Sequence, residues 1–189
     1  MLEQSAMAQN PKSAGDFEAM ASAFWSYSLS LYAVPGVEGA CLELQDEAGL
    51  NVNLMLFCCW LASEGHALPA DRAQDALEVV RPCQDDFVTP LRSARRWLKT
   101  ADGLPDETRA ELGRKVLSLE LEGERLLQLA LVRGVGRTLA ASPIGQATAS
   151  LAMENLGAYL AVAGCDLEIG SSAAADSRLQ TLVRAAFPA

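Results

Sequence analysis

The chain has 189 residues, half of them hydrophobic, and 15 Lys and Arg against 24 Asp and Glu give a net charge of −9. A single domain of that length buries roughly 70% of its unfolded surface, so a substantial core is expected. The acidic balance argues against nucleic acid, whose phosphates need a basic face, and against adhesion to anionic membranes.

Helix punctuation recurs along the chain and strand signals are nearly absent. The leader, residues 1–15, has no basic start followed by an apolar run, so it reads as a disordered tail and not as a secretory signal. The domain is expected over 16–189. Asp16 opens a first helix carrying Phe17, Met20, Phe24, Tyr27 and Leu31 at helical spacing. It ends before Pro35, which disfavours helical geometry at Val34. Phe24, Tyr27 and Leu31 share one side of it, and Trp25, Ser28 and Tyr32 another. A second helix from about Val37 to Glu47 stops at Gly49, a residue suited to the left-handed position after a helix.

Asn51 or Asn53 then caps a third helix running to about Glu64, with Gly65 closing it. Leu54 through Ala62 leave it no polar face. A helix apolar all round is a buried one, and this run is too short to span a bilayer. It is expected to be the hub of the fold. Pro69 and Asp71 start a fourth helix, and Pro90 either starts or kinks a fifth. The longest pattern runs from about Pro105 to Val135. Its leucines form one row through Leu112, Val116, Leu119, Leu126 and Ala130, and a second through Leu117, Leu121 and Leu131. Both rows are expected to face the core, with Gly123 marking a close crossing. Ser142–Pro143 signals the next helix, and a short terminal helix follows. The expectation is an all-α, single-domain bundle of seven or eight helices around residues 53–64.

Charge is unevenly spread. Through Asp71 one basic residue, Lys12, stands against nine acidic ones; from Arg92 to Arg137 there are ten basic and seven acidic. Arg92, Arg95, Arg96 and Lys99 share one helix face. That face either pairs with the acidic half or docks an acidic segment of a partner protein or a phosphorylated ligand. Trp97, elsewhere on the wheel, is assigned to the core.

Chemistry-bearing constellations are few. A diiron site needs Glu-x-x-His pairs, but the one histidine, His66, follows Ser63 by three. Glu120, Glu122 and Glu124 are read as fanning around their helix. Asp46, Glu47 and Asn51 lack the order of an EF-hand loop, so no metal and no cofactor is expected. Cys41, Cys58, Cys59, Cys83 and Cys165 form no zinc or redox spacing and read as reduced cysteines of a cytoplasmic protein. His66 reads as a helix-end residue meeting free carbonyls. There remain Gln45, Asp46, Asn51 and Asn53 around the 43–53 turn, which would supply polar contacts to a ligand. Trp25 and Tyr32 offer flat faces with polar tips. An acid near a helix C-terminus is disfavoured by the dipole, so Gln45 and Asp46 call for an explanation beyond capping.

Residues 24–62 carry Phe24–Trp25, Ser28–Tyr32, Pro35–Val37, Cys41–Asp46 and Asn53–Leu61. In these elements the chain resembles a family of small proteobacterial proteins, common in pseudomonads, known only as a domain of unknown function. The resemblance implies a bacterial cytoplasmic protein and carries over no activity and no catalytic residue. The function expected from the sequence is a non-enzymatic interaction or regulatory module. Its alternative is a small-molecule binder or enzyme with a pocket near residues 43–53.

Overall fold

The computed structural model describes residues 14–136, 145–169 and 176–188. Among them are eight α-helices and no strand: α1 (Ala14–Tyr32), α2 (Val37–Ala48), α3 (Val52–Ser63), α4 (Ala70–Cys83), α5 (Thr89–Thr100), α6 (Asp106–Leu131), α7 (Ala149–Ala163) and α8 (Ser177–Ala186). The Ser142–Pro143 signal lies outside the described residues, as does the expected tail apart from 14 and 15, which begin α1.

The protein is all-α and built around α3. Every residue from Asn53 to Ala62 is buried, and α1, α2, α6, α7 and α8 all touch it. Phe24 of α1 stacks on Trp60 at 5.0 Å and meets Phe57 at 5.3 Å. Side chains of this size contribute about 1.5–3 kcal/mol each on full burial, which is why the most apolar segment occupies the centre.

The borders of α2 and α3 follow local chemistry. Gly49 adopts φ +66° and its N–H reaches the carbonyls of Gln45 and Leu44, a geometry that disfavours a Cβ. Of the two candidate caps it is Asn51 that closes α3, its Oδ1 accepting from Leu54 N at 3.1 Å. Its own backbone N–H donates to the Tyr159 hydroxyl at 2.7 Å.

The structure decides three expectations. First, of the two places open to Pro90 it takes the start of α5, and the chain passes from α4 into α5 through a π-helical turn, Gln84–Val88. The wider turn before Pro90 accommodates the carbonyl that a proline ring crowds. Second, the α6 leucine rows are largely outside. Leu112, Leu117, Leu119, Leu121 and Leu126 are exposed, while the buried positions are Glu120, Gly123, Leu127, Gln128 and Leu131. The reason is the close contact at Gly123, where an added Cβ would stand 2.9 Å from Phe87 Cδ1 and Val88 Cγ2. That contact turns this narrow polar strip inward. Third, Trp97 is 62% exposed; α5 has one strip against α6, and Leu98 fills it.

Candidate functional site

The polar centre of the molecule lies between α5 and α6. Arg92 donates from Nε to Glu120 at 3.1 Å, from Nη2 to Glu124 at 2.8 Å and from Nη1 to Gln45 at 2.6 Å. Arg95 donates twice to Glu120, at 2.6 and 3.1 Å. Glu120 and Glu124 are four apart on one helix, so they share a face and converge on Arg92. Reading them as fanned was therefore wrong, because the i,i+2 member, Glu122, hid the i,i+4 pair.

The chain of bonds continues inward. Asn53 Nδ2 donates to Glu124 Oε2. Gln128 Nε2 donates to Asn53 Oδ1 at 2.8 Å and to Ser28 Oγ at 3.1 Å. Burial pushes the Glu120 carboxyl up, but the bonds from Arg95 and Arg92 outweigh it and hold it below the usual range. At Glu124 burial wins over Arg92 and Asn53, and the carboxyl sits above its ordinary value. Two guanidinium groups hold Glu120, while Glu124 has one and also feels the negative charge of Glu120 beside its own burial.

Above this network opens a cleft of about 490 Å³ bounded by α1, α2, α3, α5 and α6. Its apolar wall includes Trp25, Leu29, Tyr32, Leu42 and Leu56, and its polar wall Gln45, Asp46, Asn53, Arg92, Arg95, Arg96 and Lys99. The turn residues, the helix-one aromatics and the basic face, read from the sequence as separate surfaces, thus meet around one opening. Burial and nearby acids, Cys41 and Glu38 among them, raise Tyr32 to about 12, so its hydroxyl stays a donor. Asn51 does not line this cleft. It faces a neighbouring hollow of about 260 Å³, where its Nδ2 donates to Gln84 Oε1 at 2.8 Å.

The dipole puzzle at the end of α2 is resolved by α5. Arg92 reaches Gln45, and Arg96 Nη2 lies 3.3 Å from Asp46 Oδ1, so cations stand where the last carbonyls of α2 carry negative charge. Among the described residues the basic face takes its counter-charge mostly from Glu120 and Glu124 of α6, with Asp46 from the acidic N-terminal half and Gln45 as a neutral acceptor. Lys99 is exposed at the rim.

Residues 23–131 match the family described as a protein of unknown function, DUF2390. The chain belongs to that family. Neither the comparison with curated proteins nor that with solved structures returned a match. Every cleft residue from Trp25 to Gln128 falls inside the DUF2390 segment, so the cleft is a feature of that segment; α7 and α8 lie beyond it and buttress α3 from behind.

Other candidates lie apart from the cleft or are chemically quiet. Burial pushes the Cys41 thiol up to about 12 and raises Cys58 and Cys59 as well. His66 is fully buried, and neither ring nitrogen has a hydrogen-bond partner among the described residues. It is the backbone of His66 that meets a carbonyl, Leu61 O at 2.8 Å, not its ring. No group of three or more His, Cys, Asp or Glu among the described residues is arranged to hold a metal, and no described helix is long and apolar enough to cross a membrane. Sequence reasoning missed Gln128 altogether, and placed Ser28 on the side of Trp25 and Tyr32 without giving it a role. The available signal was a glutamine among the leucines of α6.

Proposed function

We propose that this protein is a non-enzymatic ligand-binding module, and that its cleft receives a small amphipathic molecule carrying an anionic group. The observation behind this reading is the juxtaposition of Trp25, Leu29, Tyr32, Leu42 and Leu56 on one wall with Arg96 and Lys99 at the opposite rim. A volume of about 490 Å³ lies within the usual size of small-molecule sites, roughly 300–1,000 Å³. Arg92 and Glu120 are occupied by each other and by their neighbours, so the deeper network serves as a rigid floor. Arg96, whose side chain is 61% exposed and only loosely paired with Asp46, and Lys99 retain donors for a carboxylate or phosphate. The binder reading is preferred to an enzyme because the inner cleft carboxylates Glu120 and Glu124 are tied to guanidinium groups and burial raises the thiols of Cys41, Cys58 and Cys59. The chain would act in the cytoplasm, where free cysteines stay reduced.

A second reading is an acidic segment of a partner protein in the same place. It draws on the exposure of Leu29 and Leu42 at the mouth, 53% and 40%. Thermal-shift and calorimetric titration with a panel of amphipathic carboxylates and phosphates tests the first reading. A panel member should raise the Tm of the wild type and lose that effect in Lys99→Glu and Leu42→Asp. If no member stabilises the protein, the small-molecule reading fails.

A further inference from the structure

The exposed side of α6 carries a pattern that the cleft does not use. Leu112, Leu119 and Leu126 recur every seven residues and are 40%, 51% and 54% exposed. Seven residues complete almost two turns, so the three leucines form one row, about 21 Å long at 1.5 Å per residue. Phe87, 40% exposed, lies over Gly123 and widens the strip. A contiguous apolar strip of this kind on a soluble fold marks an interaction surface.

The charges beside the row say what covers it. Lys115, paired with Glu111 at 2.6 Å, lies toward its N-terminal end, and Glu122 toward its C-terminal end. Place a second α6 antiparallel, with the two-fold axis at Leu119. Leu112 then meets Leu126 of the second copy, and Lys115 faces its Glu122. Every pair occurs twice, as a two-fold interface requires. A parallel, in-register pairing would instead set Lys115 against Lys115 and Glu122 against Glu122, which is repulsive.

We infer that α6 is a homodimerisation helix, and that its occupant is α6 of a second copy of this chain, antiparallel about Leu119. The inference is independent of the cleft reading, since none of these leucines lines that cleft. The strip is short by the measure of stable interfaces, so the dimer should dissociate in the range of about 1–10 μM.

Sedimentation velocity on the full chain across a concentration series tests this. The wild type should convert from monomer to dimer, and Leu119→Asp, an exposed position, should remain a monomer with unchanged circular dichroism. Lys115→Glu and Glu122→Lys should each weaken association about tenfold, and the double variant should recover it. A wild type still monomeric at about 100 μM overturns the inference and leaves the strip to a different protein. An undiminished dimer in Leu119→Asp, or a double variant no better than either single one, overturns it equally.

Discussion

The Arg95 guanidinium holds the Glu120 carboxylate from two positions, Nε 2.6 Å from Oε2 and Nη2 3.1 Å from Oε1, at a site where the Glu120 side chain is only 7% exposed. Arg92 binds the same carboxylate. Removing the charge with Glu120→Gln takes from the partly buried Arg95 the carboxylate it is bonded to and leaves Arg92 with Glu124, and should cost about 3 kcal/mol. Glu124→Gln removes a carboxylate that burial already disfavours and keeps an amide oxygen as acceptor, so it should cost about 1 kcal/mol or less. Urea unfolding midpoints of the two variants measure the difference, and equal losses would contradict the assignment.

Asn155 of α7 ties three buried backbone groups together. Its Oδ1 accepts from Leu68 N at 2.7 Å, and its Nδ2 donates to the carbonyls of Cys58 at 3.2 Å and His66 at 3.0 Å. Asn155→Ala should lower stability by about 3 kcal/mol, since the stranded groups keep their desolvation cost. Asn155→Asp, which lacks the donors, should rescue little. Thermal melts of both variants test this.

Gly123→Ala should destabilise by about 1–3 kcal/mol, because the new methyl must displace the Phe87 ring and Val88 in a packed crossing. Gly113→Ala, on the same helix with nothing within 4 Å of an added Cβ, should instead be neutral or stabilising by up to about 1 kcal/mol. Opposite signs on one helix, read by chemical denaturation, separate packing from propensity.

His66 gives the fold a pH dependence of known sign. Burial lowers its folded-state value below the ordinary 6.5, so the unfolded chain takes up the proton first as pH falls. Its contribution is complete above about pH 6.5 and declines below it, by at most about 1.4 kcal/mol per pH unit. His66 is the one histidine of the chain. His66→Leu should therefore flatten the stability profile between about pH 5 and 7. Glu124, raised in the fold, acts with the opposite sign, and its weak residual slope should persist. Urea midpoints across that range check both.

The two tryptophans Trp60 and Trp97 should differ sharply. Trp60→Ala empties the centre of the core and should cost about 3–5 kcal/mol. Trp97→Ala removes a 62% exposed ring and should stay within about 0.5 kcal/mol. Equal effects would show that Trp97 is covered in solution.

Legibility of the sequence divided along a physical line. The helix ends at Gly49 and Asn51 were readable because a positive φ and a cap are local, set within four residues. The all-apolar stretch 54–62 was readable as the hub because no rotation of that helix exposes a polar face. The amphipathic α6 was not. Its leucines and its Glu120–Glu124–Gln128 strip lie on different sides, and periodicity names faces without saying which one is buried.

By itself, then, the sequence determined the helical class, the borders written in caps and glycines, and the identity of the central helix, all consequences of short-range sterics and composition. The tertiary structure decided what the polar residues do. Arg92 bonds partners 28, 32 and 47 positions away, and only packing α5 on α6, with the end of α2 in reach of its arginines, brings them together. That packing also placed cations at the acidic end of α2 and turned the leucines of α6 outward, because the strip able to approach the π-helical turn closely is the one with Gly123 in its middle.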